Sequence, residues 1–404
     1  MIRLKDTRHQ NTASFLGSAI RIAEYYGFAP LDKAASASHP SGAVVPGVEK
    51  RRIPSAAECE ADMSFARRDE RGLVSVAKRC LSRARGTESR LLWRLSIGSP
   101  RERSSVPSAA LELHVIGTGG AIAEALLIVV ADAIAAEAGI AQRILSINNI
   151  GSPDSSNRYV RDVGLYLRKH IESISPTLRP RVALDPLGAL VQLIERGHPA
   201  TSRAPQSMEY LTEEERRKFW DLLEYLEVFG LPYELNPHVL GSRDCWAHSL
   251  YEISAPDEET GVRISLASGG RYDPLAARFA DAPAAMISIT CEVRGRTRAR
   301  PEVRPAPSIY FAHLGPEARR RALRVLEMLR AAEIPVHQSL CLERIGEQMA
   351  SARSFSVPHI LIMGHKEAME GTILVREVAT NSQDAVPLPD LIQYLRRHRM
   401  AVGA

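Results

Sequence analysis

Leu266-Ala-Ser-Gly-Gly-Arg-Tyr-Asp-Pro-Leu-Ala-Ala-Arg-Phe279 places two glycines, a guanidinium, a phenol and a carboxylate in the consecutive positions Gly269 to Asp273. Residue types of this kind at adjacent positions have two physical readings. The glycines let backbone approach a ligand closely while Arg271 and Asp273 supply polar contacts. Alternatively, the glycines permit a tight approach of neighbouring strands, and Arg271 and Asp273 pair with each other or with nearby backbone. The stretch sits among short β-type runs: Tyr233 to Leu235, Ser249 to Ser254, Arg263 to Ala267 and Ala284 to Val293. Such runs read as strands.

Working outward, the chain divides by pattern. Towards the N-terminus, a helix is expected over Ser14 to Tyr26, a polar loop over Ser36 to Pro54, and strands at Leu91 to Ile97 and Leu111 to Ile116. The apolar run Ala121 to Ala136 is interrupted by Glu124 and Asp132, so it reads as a buried helix rather than a membrane span. A strand, Arg143 to Asn149, follows. From Asp154 to about Val228 the pattern is helical and charged, and Thr212-Glu-Glu-Glu215 is a capping-box candidate. Beyond the strands around Gly269 lies an Arg/Pro-rich linker, residues 294–307. The pattern then alternates β and α, with a helix over Glu317 to Ala332 and strands at Ile309 to Ala312, Pro335 to Gln338, His359 to Met363 and Thr372 to Glu377. Further helices are expected at Ile345 to Ser354 and Leu388 to Arg397. The organisation expected is a core of residues 1–150 and 230–293, a helical insertion 151–229, the linker, and an α/β domain 308–404.

The chain has 404 residues, 45% hydrophobic and 25% charged, an ordinary composition for a multidomain globular protein. A net charge of +5 is compatible with nucleic-acid contact without requiring it. The five cysteines are scattered and form no CxxC pair, which argues against a disulfide framework or a zinc site and for a reducing compartment. The N-terminal residues have no apolar signal segment, so a cytoplasmic protein with no membrane association is expected. No metal site is expected. No nucleophile elbow or H-E-x-x-H motif is present.

The order of landmarks resembles the histidyl-tRNA synthetase family. Leu4-Lys-Asp-Thr-Arg8 resembles the family's KGTRD opening, and Ile147-Asn-Asn-Ile-Gly151 the strand that leads into its helical insertion. Asp244-Cys-Trp-Ala-His-Ser-Leu-Tyr-Glu252 stands where the family has DYYTGTVFE, and Gly269 to Asp273 is its second histidine motif, intact. Leu342 to Gly364 and Thr372 to Arg376 resemble its anticodon-binding domain. The resemblance implies an α+β class II synthetase-like catalytic fold, an antiparallel sheet flanked by helices, followed by a C-terminal α/β anticodon-binding-like domain. It further implies a homodimer, with ATP and magnesium as co-reactants if the chain is a ligase.

The catalytic motifs depart from the family. Adenylate formation needs cations on the triphosphate. The family's motif 2 arginine (FRYERP) falls on Ser96, and its motif 3 arginine (GxERL) on Val293, next to Arg294. The glutamate that holds the substrate ammonium falls on or near Lys78. The arginine of RGLDYY falls on Gly241, with Arg243 two residues away, and a family glutamate falls on His114. An active enzyme therefore requires Arg243 and Arg294, or Arg101 and Arg103, to converge. The ligand-pocket candidates are Lys78, Asp244, Trp246, His248, Gly269, Gly270, Arg271, Tyr272 and Asp273. Arg243, Trp246 and His248 form a rebuilt pocket in one reading and core packing in the other. Arg319, Arg320, Arg321, Glu367 and Arg376 are candidates for RNA contact. The expected function is a catalytically degenerate paralogue that binds tRNA or a protein partner. The alternatives are a ligase with rearranged arginines, and a regulatory subunit of ATP phosphoribosyltransferase; that subunit family typically lacks the anticodon-binding domain.

Overall fold

The computed structural model describes residues 1–4, 8–31, 73, 76–78, 89–97, 107–241, 244–257, 260–279, 282–297, 307–398 and 400. The expected loop Ser36 to Pro54, the pair Arg101 and Arg103, Arg243 and the middle of the Arg/Pro linker lie outside these residues. The first eight strands are β1 (Ala29–Pro30), β2 (Arg90–Ile97), β3 (Ser108–Ile116), β4 (Ile144–Asn149), β5 (Tyr233–Leu235), β6 (Ala247–Pro256), β7 (Arg263–Arg271) and β8 (Ala284–Glu292). They form one sheet in the order β1-β2-β3-β8-β7-β6-β4-β5, antiparallel through its centre from β2 to β4. Pro30 sits on the edge strand β1, opposite Trp93, where the absence of an N–H is tolerated.

Helix α1 (Thr12–Tyr25) begins at Asn11, whose side chain accepts from Ser14 N. Helix α2 (Ile122–Glu137) is apolar on all sides and buried along most of its length, as such a helix must be. Both cover one face of the sheet, packing on Leu111, Leu113, Val115, Ile287, Ile289, Tyr251, Ile253, Leu145 and Ile147. Helices α3 (Pro153–Lys169), α4 (Arg179–Leu184), α5 (Pro186–Glu195) and α6 (Glu213–Phe229) follow β4. The capping box that starts α6 forms as the sequence suggests: Glu215 N donates to Thr212 Oγ1 and Thr212 N to Glu215 Oε2. A short helix, α7 (Asp273–Ala276), leaves β7.

The C-terminal sheet holds β9 (Ile309–His313), β10 (His337–Gln338), β11 (His359–Met363), β12 (Thr372–Glu377) and β13 (Gln383–Pro387), in the order β10-β9-β11-β12-β13. Helices α8 (Pro316–Ala331), α9 (Ile345–Ser354), α10 (His365–Glu370) and α11 (Leu391–Arg397) accompany it. The six-residue α10 is too short to show a helical period, and β13, exposed at every position but Val386, has no apolar alternation, so both escape sequence reading. Leu388 to Asp390 form a tight turn before α11 rather than its first turn. This α/β unit is joined to the rest: Tyr26 Oη donates to Glu327 at 2.6 Å, and Tyr25 Oη to the Ile334 carbonyl at 3.0 Å. No helix among the described residues is long and apolar enough to cross a membrane.

Candidate functional site

Strand register puts three rows of side chains on the sheet face opposite α2. The first row is Leu92, His114, Met286, Gly270, Leu250 and Asn148; the second is Arg94, Glu112, Ser288, Ser268, Glu252, Ser146 and Glu234. Ser96, Ala110 and Thr290 follow. An apolar cluster that includes Leu31, Leu73, Val76, Ala77, Trp246 and Tyr272 covers the first row. The second row is polar from end to end. Ser96 Oγ donates to Glu112 Oε1 at 3.0 Å, Arg94 Nη1 stands 3.5 Å from Glu112 Oε2, and His114 Nε2 stands 3.9 Å from it. Burial pushes the Glu112 carboxyl up, but His114, Arg94 and Ser96 outweigh it and hold it below its ordinary range. At the far end Glu234 accepts from Arg263 Nη1 at 2.6 Å and from Ser146 Oγ at 2.7 Å.

The residues at the family's cation positions supply no charge here. Ser96 is a partner of Glu112. Strand β8 ends at Glu292, one residue before the sequence-based boundary, and Val293 packs against the large core cluster. Strand parity therefore does not decide where Arg294 points. Its backbone N–H donates to Thr12 Oγ1 at 2.6 Å and its guanidinium reaches the Leu4 carbonyl at 3.4 Å, both on the N-terminal segment. A Cβ at Gly241 would overlap the Trp246 indole, and one at Gly270 would lie 3.1 Å from Trp246 Cε3. Trp246, 3% exposed, is thus wedged between two glycines, the first of which the resemblance sets at a family arginine position. Lys78 and Asp244 are half-buried and engaged with neighbours.

The Gly269–Asp273 motif faces both ways. A Cβ on Gly269 would overlap the Met286 carbonyl and lie 2.8 Å from Ile287 Cα; one on Gly270 would be 2.8 Å from the Ser249 carbonyl. Close strand approach explains both glycines. Arg271 points towards α2, where its Nη2 and Nε meet Glu124 Oε2 and Oε1 at 2.5 and 3.1 Å. It also donates to the Thr118 and Gly120 carbonyls at 3.3 Å. Burial opposes the guanidinium charge, and Glu124 more than offsets it, so Arg271 is held protonated more firmly than free arginine. Sequence reading missed Glu124 as this partner, although a carboxylate inside an apolar helix was the available signal. Tyr272, fully buried, reaches the other face, its Oη 3.3 Å from His114 Nδ1. Among the described residues His114 Nε2 has no hydrogen bond.

On the α2 side, a pocket of about 220 Å³ lies between α6, the start of α2 and the ends of β6 and β7. His248, Arg271, Asp273, Glu124 and Asn149 line it. His248 sits in an irregularity of β6 with φ of 56°, a left-handed conformation. In the family pattern DYYTGTVFE this is the glycine position. Holding a non-glycine residue there costs on the order of 1–3 kcal/mol. Trp246 and His248, candidates for one rebuilt pocket, are divided by the sheet: Trp246 joins the apolar cluster over the first row, His248 the opposite pocket. Among the described residues no three His, Cys, Asp or Glu side chains group so as to hold a metal ion.

In the C-terminal unit, Arg319 and Arg320 turn to α6 rather than to an open surface. Arg319 donates to Tyr225 Oη at 2.8 Å and to Glu343; Arg320 meets Asp221 and Glu224 at 2.8 and 2.9 Å. Arg321 is half-buried on the same helix. Glu367 accepts from Gly364 N at 2.9 Å and opens α10; Arg376 donates to Asn381 at 2.5 Å from β12. Two of the five RNA-contact candidates, Arg319 and Arg320, are therefore engaged with α6.

Residues 309–398 match the anticodon binding domain family. The histidine–tRNA ligase of Symbiobacterium thermophilum is 26% identical over 296 residues, 71% of this chain and 68% of that protein. That of Thermosynechococcus vestitus is 26% identical over 294 residues, 72% and 68% of the two chains. Among solved structures, apo S. aureus histidyl-tRNA synthetase aligns with a TM-score of 0.48 at 16% identity, covering 94% of each chain. Residues 309–398 are thus an anticodon binding domain, and over about 70% of its length the chain is similar to histidine–tRNA ligases.

Proposed function

We propose that the chain is a histidyl-tRNA-synthetase paralogue that no longer forms an aminoacyl-adenylate and acts as a binding module for tRNA, as a homodimer in the cytoplasm. The observation that carries this reading is the exchange around Trp246. Its indole fills the space over Gly241, the position of a family arginine, while the motif 2 and motif 3 arginine positions hold Ser96 and Val293. A triphosphate on this face meets the ionised Glu112 instead of a pair of guanidiniums, and magnesium–ATP loses the charge neutralisation its reaction needs. Losing one such donor typically costs about 10²–10³ in rate. The C-terminal anticodon binding domain supports RNA binding and weighs against a regulatory subunit of ATP phosphoribosyltransferase, a type that typically lacks this domain. The purified chain is expected to give no ATP–pyrophosphate exchange with histidine or other amino acids, and salt-sensitive gel shifts with total tRNA. Exchange above background means a working ligase with relocated cations. No exchange and no tRNA binding favours a protein partner.

A further inference from the structure

We propose that the pocket on the α2 side of the sheet binds a small molecule through its ammonium group, a primary amine or an amino acid, with His248 and Asp273 as its acceptors. This goes beyond the tRNA-binding reading and stands apart from the catalytic face, since Arg271 and Ser249 in the pocket wall both point to Glu124 of α2. The first observation is backbone geometry. His248 holds a left-handed conformation at a strand irregularity, where glycine would be unstrained, and its backbone is pinned: its N–H donates to the Gly151 carbonyl at 2.7 Å and its carbonyl accepts from Ile150 N at 2.9 Å. Such outliers and bulges concentrate where a side chain is aimed at a ligand. The second is the space: about 220 Å³, enough for a molecule the size of an amino acid.

The third is the inventory of polar groups. The charged groups in the wall are Glu124 from α2, Glu215, Lys218 and Asp221 from α6, and Arg271 and Asp273 from β7 and α7. Four carboxylates against two cations leave a net negative lining. Most are already satisfied: Glu124 by Arg271 and Ser249, Glu215 by Ser152, Ser155 and Thr212, Asp221 by Arg320, and Lys218 by Glu214. Asp273 uses Oδ1 for the Ala284 N–H at 2.8 Å, with Arg271 Nη1 3.7 Å from the same oxygen, and keeps Oδ2 as an acceptor. The His248 ring makes no hydrogen bond among the described residues, and Asn149 uses only its Oδ1, on Gly151 N. A ligand ammonium has donors for both a neutral imidazole and a carboxylate, whereas an anion meets repulsion. Burial lowers the His248 pKa, so the ring is a neutral acceptor near pH 7. Protonating it in acid removes the acceptor and adds a like charge beside the ligand.

Isothermal titration of the full chain at pH 7.5, with methylamine, ethanolamine and putrescine in one arm and the amino acids in the other, tests this. At least one probe is expected to bind saturably, and the arms tell amine from amino acid. His248→Gly relaxes the backbone and so keeps the fold, and is expected to weaken binding about tenfold or more. Asp273→Asn, which retains the acceptor for Ala284 N, does the same, and affinity falls as the pH drops below the ordinary imidazole range. Absence of saturable binding by every probe overturns the proposal. So does binding untouched by His248→Gly, or weakened only by Glu112→Gln on the opposite face.

Discussion

Replacing Arg271 by Met should destabilise the chain by about 3–5 kcal/mol, the range for breaking one side of a buried ion pair. The structure puts it at the upper part of that range for three reasons. Both side chains are nearly inaccessible, 5% for Arg271 and 7% for Glu124. The pair is bidentate, so its loss strips both Glu124 oxygens of a charged donor and leaves Ser249 Oγ as the remaining hydrogen bond. The carbonyls of Thr118 and Gly120, which lead into α2, also lose a donor. Methionine keeps most of the aliphatic volume, so the loss is electrostatic rather than a cavity. The assay is urea unfolding followed by tryptophan fluorescence, since Trp246 packs two residues from the β6 bulge. The double variant Arg271→Met, Glu124→Met removes both charges and should recover more than half of the loss, because an apolar pair of similar size is often neutral or better. A single variant that costs under about 1 kcal/mol refutes the argument, as it means the pair is not a structural keystone of the motif. A double variant no better than the single refutes the assignment of the cost to the stranded Glu124 charge.

Two further outcomes follow from the C-terminal unit. Burial, aided by Arg319, pushes the His313 imidazole down from 6.5 to about 4. Its folded pKa lies below its unfolded one, so stability is full above about pH 6.5 and is lost as the pH falls towards 4, by on the order of 3 kcal/mol. Amide protection factors in β9 and β11 should decline across that window and stay level in His313→Leu; parallel declines in both proteins would show that other groups govern the acid response. Arg320→Ala removes the ion pairs to Asp221 and Glu224 at the joint of α8 and α6. Because both carboxylates retain contact with water, the cost should be modest, about 1 kcal/mol, seen as faster amide exchange confined to residues 213–229 and 316–331. Unchanged exchange there would show that apolar packing alone holds the joint.

What was legible in the sequence is what neighbouring residues decide among themselves. The Thr212–Glu215 capping box, the apolar α2 and the strands His359–Met363 and Thr372–Glu377 are local patterns, set by periods and caps within a few residues. The order of motifs carried the fold class and the resemblance to the histidyl-tRNA synthetase family, because order along the chain survives where individual side chains have changed. The close approach that fixes Gly269 and Gly270 was open in the sequence as one of two readings, and the strand register decided for it.

Contacts between distant residues required the tertiary structure. Arg271 finds Glu124 across 147 positions only because α2 lies on that face of the sheet. Arg319 and Arg320 looked available for RNA because their helix alone offers them to solvent; α6, folded against it, supplies the carboxylates. Trp246 and His248 are separated by a single residue, yet a strand irregularity sends one ring into the apolar cluster and the other through to the opposite side. A period of two would have put them on the same face. The local sequence sets which elements form, whereas the partner of each charged or strained side chain depends on packing between elements that the chain brings together from far apart.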